Sequence, residues 1–149
     1  AAFFHDIELE IKHGPSTLDF DAAEFMAQLN PQDREAYLQH PAKAAEIVSR
    51  FQEIPPTVDA IILQHHESPD GSGFPLKIHG KDFAPLSALF IVAHDLIRFL
   101  LKNPGKAKIS EFVDLKKEIY GLAPFRVVLQ GVAALAEDQV LRPSMGKVA

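Results

Sequence analysis

The 149-residue sequence predicts an all-α domain. Three observations carry that prediction. Apolar residues recur at helical spacing in one segment after another. Prolines, polar caps and a glycine stop punctuate those segments where helices begin and end. No run alternates with the period of two that marks a half-buried strand.

The elements follow in order. Residues 1–12 read as the tail of a helix. Ser16 or Asp19 is placed to cap a helix through "DAAEFMAQL", which ends at Asn30. Pro31 suits a first helical position, where its missing N–H costs nothing, and "PQDREAYLQH" carries on to His40. "PAKAAEIVSRF" has Ala44, Ile47 and Phe51 at helical spacing, and "PPTVDAIILQHH" has Val58, Ile61 and Ile62. Residues 67–84, rich in Gly, Pro and Asp, read as loop. "APLSALFIVAHDLIRFLL" is nearly continuous apolar sequence, as expected of a buried central helix. In "SEFVDLKKEIYG", Ser110 is the expected cap, Phe112, Leu115 and Ile119 the apolar stripe, and Gly121 the stop. A last helix is expected after Pro124, through about Asp138.

Composition bounds the function. A chain of this length is about one domain and can bury a proper core, and 47% of it is apolar. A formal charge of −5 gives no electrostatic reason to expect duplex nucleic acid as a partner. No apolar run approaches the roughly 18 residues of a membrane span, so no membrane insertion is expected. No signal peptide is visible in a sequence that starts at Ala1, and a cytoplasmic location is expected. The absence of Cys excludes disulfides and thiolate zinc sites.

Five residues or pairs among the polar side chains point to chemistry: His5 with Asp6, His40, His65, His66, and Asp95. Neighbouring residues on a helix diverge by about 100°, so adjacent imidazoles do not chelate within a regular turn. Pro69 sets a helix end close to His65 and His66, where the chain is free to bend. These histidines read either as ligands or as satisfied core residues. Asp95 lies in "LFIVAHDLI", where an ionised carboxylate is costly without a cation or several hydrogen bonds. A local polar pair with His94 is the alternative.

"FFHDIE", "QHPAKAAEIV", "HHESPDGSGFP" and "PLSALFIVAHD" together resemble, in order and spacing, the motifs of the HD-GYP family. These are bacterial phosphodiesterases of the HD metallohydrolase superfamily that act on cyclic di-GMP. The resemblance covers residues 1 to about 100 and implies an HD-domain helical bundle, with the metal-site core at 1–100 and C-terminal helices at 109–138. It implies two divalent transition metal ions, iron or manganese, on His5, Asp6, His40, His65, His66 and Asp95. Asp6 would bridge the two ions, His5 and Asp95 would serve one of them, and His40, His65 and His66 the other. The implied reaction is hydrolysis of cyclic di-GMP to pGpG or GMP by a metal-bridging hydroxide. Gly71, Ser72, Gly73 and Lys77, with Lys106 or Lys108, are the expected substrate contacts. Asp70 and Glu67 would orient ligands or fix the loop, ordinary turn chemistry being the other reading. GGDEF-type or other signalling domains are the expected partners.

The sequence also departs from the family. The lysine three residues after the bridging aspartate is Leu9, the tyrosine of Gly-Tyr-Pro is Phe74, and a second aspartate after Asp95 is Arg98. "NPGKAK" stands where the family carries an arginine segment. A family His and Glu upstream of His5 would lie before Ala1, so the chain reads as part of a longer protein. These departures leave an alternative to catalysis: a metal-containing relative that senses a cyclic dinucleotide or docks a partner. Hydrolysis of another phosphoester is a third reading.

Overall fold

A computed structural model describes residues 6–7, 22–55, 57–104 and 108–141. The described residues form six α-helices and a short 3-10 turn at Gly80–Asp82, with no strand; the one β-type pairing is an isolated bridge between Asp70 and His79. The helices are α1 (Ala22–Gln28), α2 (Pro31–Ser49), α3 (Val58–Gln64), α4 (Pro85–Lys102), α5 (Ile109–Lys116) and α6 (Phe125–Leu141). The all-α expectation is met. The expected helix tail over residues 1–12 and the caps Ser16 and Asp19 fall outside the described residues, except that Asp6 and Ile7 form a turn. No helix among the described residues is long and apolar enough to cross a membrane.

Pro31 begins α2 as expected, and Asn30 caps it by accepting from the Asp33 N–H at 2.9 Å. The two segments that the sequence suggested on either side of Pro41 are one 19-residue helix. A proline inside a helix removes the N–H that would bond the carbonyl four residues back, here Tyr37. That carbonyl finds another partner: the His40 ring, whose Nδ1 lies 2.5 Å from it. The buried face of α2 is Tyr37, His40, Pro41, Ala44, Ala45 and Val48, and Phe51 is exposed beyond its end, contrary to the stripe read from the sequence.

α2 packs on α3 through Ala44, Ala45, Val48 and Ile62. The small alanines let the helices approach closely, and α3 in turn meets α4. A larger core joins α4, α5 and α6 around Phe83, Val92, Phe112 and Phe125. Burying each of those aromatic rings contributes about 1.5–3 kcal/mol. A third cluster, Phe25, Tyr37 and Phe74, ties α1 and α2 to the loop after α3.

Two expectations need correction. α4 is buried on one face only: Ser87, Ala88, Ile91 and Val92 point inward while Leu86, Leu89, Ile97 and Leu101 are exposed. In α5, Phe112 is buried, but Leu115 and Ile119 are exposed. The helix ends at Lys116, so the periodic stripe stops before Ile119, and the turn that follows brings Tyr120 into the core instead. Ser110 sits inside the first turn. The cap is Lys108, whose backbone N–H faces the Glu111 carboxylate at 3.5 Å.

Candidate metal centre

Asp6, His40, His65 and His66 converge, each offering a ligand atom within 4.8 Å of the others. Three elements bring them together: the turn at Asp6, the middle of α2, and the end of α3. His40 and His65 are held in the same way. The Nδ1 of His40 meets the Tyr37 carbonyl, and that of His65 meets the Ile62 carbonyl at 2.6 Å. Both carbonyls lack their usual helical donor, the first because of Pro41 and the second because α3 ends. A carbonyl can only accept, so each Nδ1 carries the hydrogen, and in its neutral form each ring presents its Nε2 lone pair to the site.

Those two Nε2 atoms lie 3.2 Å apart, and Asp6 Oδ1 lies 3.3 Å from one and 3.6 Å from the other. Two lone pairs and a carboxylate facing one another repel unless a cation lies among them. Donors about 2.1 Å from a shared ion stand roughly 3.0–3.6 Å apart, which matches these separations. Two buried imidazoles, a part-buried third and a solvent-accessible carboxylate, donors of nitrogen and oxygen without sulfur, therefore fit a divalent transition metal. Burial holds His65 below its ordinary value, against the opposing pull of Asp6. Burial, then the neighbouring His65 and His40, hold His66 well below its own. Both rings are thus neutral near pH 7, as a metal ligand must be.

His66 takes its orientation from the loop. Its ring stacks on Phe74 at 4.7 Å and an interplanar angle of 15°, and it meets the edge of His40 at 5.0 Å. The loop that carries Phe74 is held by the carboxylate at its start. Glu67, buried, accepts from the backbone N–H groups of Leu76 and Lys77 on one oxygen and of Ile78 on the other, the last two at 3.0 Å. The bond to Lys77 secures a residue with φ of +54°, a region that side chains other than Gly rarely occupy. Gly73 is required by close approach, since a Cβ there would overlap the backbone of Glu67 and Ser68. At Gly71 the space is filled by the His79 ring.

Asp70 stays outside the four-donor group and forms a turn. The Ser72 hydroxyl and backbone N–H donate to its Oδ1 at 2.6 and 3.0 Å, and these bonds lower its carboxyl from the ordinary 3.8 to about 2. A depressed carboxylate stabilises the fold above its unfolded value and loses that contribution as pH falls through the folded one. Carboxyl NMR of Asp70 is therefore expected to titrate near pH 2, and Ser72→Ala to move it back toward the ordinary value. A midpoint near 4 in the unaltered protein would contradict this turn.

Asp95 also stands apart from the four donors. Its Oδ2 accepts from Lys116 Nζ at 2.6 Å and from the Tyr120 hydroxyl at 2.7 Å, rather than pairing with His94. The His94 ring stacks on Phe90. A cavity of about 300 Å³ is lined by His65, His66, His94, Asp95, Lys116 and Tyr120, together with Arg98 and Lys102. His5, Leu9 and Lys106 lie outside the described residues. Lys77 and Lys108 are exposed, and neither lines this cavity. The sequence reading missed Tyr37, Lys116 and Tyr120. The His40-Pro41 dipeptide was the available signal for the first, and the four-residue spacing of Lys116 and Tyr120 for the others.

The HD domain family matches residues 20–117. Among solved structures the chain is similar to Bd1817, an HDG"Y"P protein from Bdellovibrio bacteriovorus, at 26% identity and a TM-score of 0.57. That likeness covers 84% of this chain and 39% of the Bdellovibrio chain. No curated protein matches. The family match spans α1 to α5 and so takes in the three histidines at α2 and α3, and with the likeness to an HDG"Y"P protein it identifies the chain as a member of the HD domain family, of the HD-GYP kind, with Gly73-Phe74-Pro75 at the position of Gly-Tyr-Pro.

Proposed function

We propose that this domain is a metal-dependent phosphodiesterase whose substrate is cyclic di-GMP, acting at the centre formed by Asp6, His40, His65 and His66. One observation carries the reading. Two imidazole nitrogens, each aimed by a backbone carbonyl behind it, face each other at 3.2 Å beside a carboxylate. Such an arrangement suits a divalent ion held among the three donor atoms. Membership of a metallohydrolase superfamily agrees with it. A bound divalent ion, iron or manganese by the donor set, lowers the pKa of water and offsets the charge that grows on a phosphoryl group.

The remaining work belongs to the chain. His40 and His65 hold the site's shape through their backbone bonds, and Phe74 fixes the plane of His66. Arg98 puts positive charge on the cavity that also holds His65 and His66, joined by Lys102 and Lys116, which lie beside Glu24 and Asp95, and there a phosphodiester would meet it. The cavity's volume of about 300 Å³ admits part of a cyclic dinucleotide, with the scissile phosphate inside and the rest of the ligand at the mouth. The test is chromatography of cyclic di-GMP incubated with metal-loaded full-length protein. Linear dinucleotide or GMP is the expected product. Intact cyclic di-GMP bound tightly under saturating metal would instead assign the domain as a sensor.

A further inference from the structure

Asp95 lies midway along α4, part-buried, and the protein itself supplies a cation beside it. Lys116 Nζ is 2.6 Å from Asp95 Oδ2, and the Tyr120 hydroxyl donates to the same oxygen. Tyr120 is in turn buried and stacked on Phe125 at 5.0 Å, so the hydroxyl is fixed in place. Its phenol is pushed up by burial and by the Asp95 carboxylate, which keeps the hydrogen on the donor. The Lys116 ammonium rests 5.5 Å from the centre of the Tyr120 ring. Asp95, Lys116 and Tyr120 share one cavity with His65 and His66.

We propose that Lys116 stands in for a second metal ion on Asp95, so that this centre holds a single divalent ion and the Lys116 ammonium takes the other place. The proposal rests on reading Asp6, His40, His65 and His66 as a metal centre, and it concerns how many ions that centre takes. Three physical points support it. The ammonium already neutralises the carboxylate that would attract a second cation. Two donors occupy Oδ2, so an incoming ion must either displace Lys116 or make do with the other oxygen. A divalent ion on Asp95 would also face a positive charge at close range in a partly desolvated cavity, where repulsion is poorly screened. Lys116 is a compact cation on a flexible stem, suited to turn toward a bound phosphodiester while staying near Asp95.

The experiment is a manganese titration of the full-length protein after chelator treatment. Bound metal is measured by elemental analysis, and its environment by electron paramagnetic resonance. One equivalent with an uncoupled manganese signal is expected. The double variant Lys116→Ala with Tyr120→Phe frees Asp95 and is expected to bind a second equivalent with an exchange-coupled signal, while Lys116→Arg stays at one. Two coupled equivalents in the unaltered protein overturn the proposal and leave the metal centre standing. No bound manganese at all overturns the metal centre itself. A folded double variant that stays at one equivalent shows that Lys116 does not hold the place of an ion. Should that variant fail to fold by thermal melting, the stoichiometry of the unaltered protein decides.

Discussion

Glu67→Ala is expected to cost roughly 3–5 kcal/mol of stability, read from denaturant unfolding, and to weaken metal binding as well. The Glu67 carboxylate accepts three backbone N–H groups, from Leu76, Lys77 and Ile78, at a buried position. Hydrogen bonds to a charged group contribute about 1.5–3 kcal/mol each, and truncation also leaves donors unsatisfied. The three bonds share one side chain and so do not add in full. Glu67→Gln is the informative companion. It keeps the volume but offers an amide N–H₂ where a backbone donor expects an acceptor, so it should recover only part of the loss. The effect on metal follows from geometry, since the loop positions Phe74 and Phe74 positions His66. A folded Glu67→Ala protein with unchanged stability would mean that the loop is held by other contacts.

The part of this molecule legible in the sequence is the part fixed by local rules. Pro31 and the Asn30 cap announced α2, and the loop over residues 67–84 was marked by its glycines and prolines. Short-range pattern failed where one residue's bond replaces another's. Pro41 reads as a break, yet the helix continues because His40 takes the carbonyl that Pro41 abandons. The same bond aims His40 into the site, so an apparent defect in the helix is what orients a candidate ligand. Periodicity misjudged Ile119 because the helix ends three residues before it, while Leu115, inside α5, faces solvent although it falls on the stripe.

The site was legible in residue type and less so in arrangement. His40, His65, His66 and Asp6 meet as a group, although 25 residues separate the first two histidines. Asp95 was singled out as a carboxylate that is costly without a cation or several hydrogen bonds, and the structure gives it Lys116 from α5, 21 residues further on. Nothing in the pattern around Asp95 distinguishes a metal from an ammonium brought by a later helix. That distinction belongs to tertiary packing, in which α4 and α5 share Phe99 and Phe112 at 5.7 Å and thereby set Lys116 beside the carboxylate. The glycines of the loop tell a similar story. Their missing side chains make room for the chain's own His79 ring and Glu67 backbone, leaving Ser72 as the exposed tip.

Asp6→Ala and Phe74→Tyr are expected to separate the ligands from the residues that support them. Asp6 supplies the negative charge of the four-donor group, and its Oδ1 stands within 3.6 Å of both imidazole nitrogens that face the site. Without it a divalent ion would rest on neutral rings alone. Loss of a residue that merely orients a ligand typically weakens metal binding about 10–100-fold, so loss of Asp6 itself should exceed roughly a hundredfold. Phe74→Tyr keeps the ring on which His66 stacks, so metal affinity should stay within about threefold. Its cost should fall on stability instead, about 1–3 kcal/mol, because the added hydroxyl enters a buried cluster with Phe25 and Tyr37. Competition against a chelator of known strength measures the first quantity, and denaturant unfolding the second. Equal loss of metal in the two variants would show that Asp6 is no ligand and that ring packing governs the site. A tyrosine that leaves stability untouched would mean its hydroxyl reaches a partner or solvent, and then the phenylalanine at this position costs the domain a hydroxyl that its fold was able to accommodate.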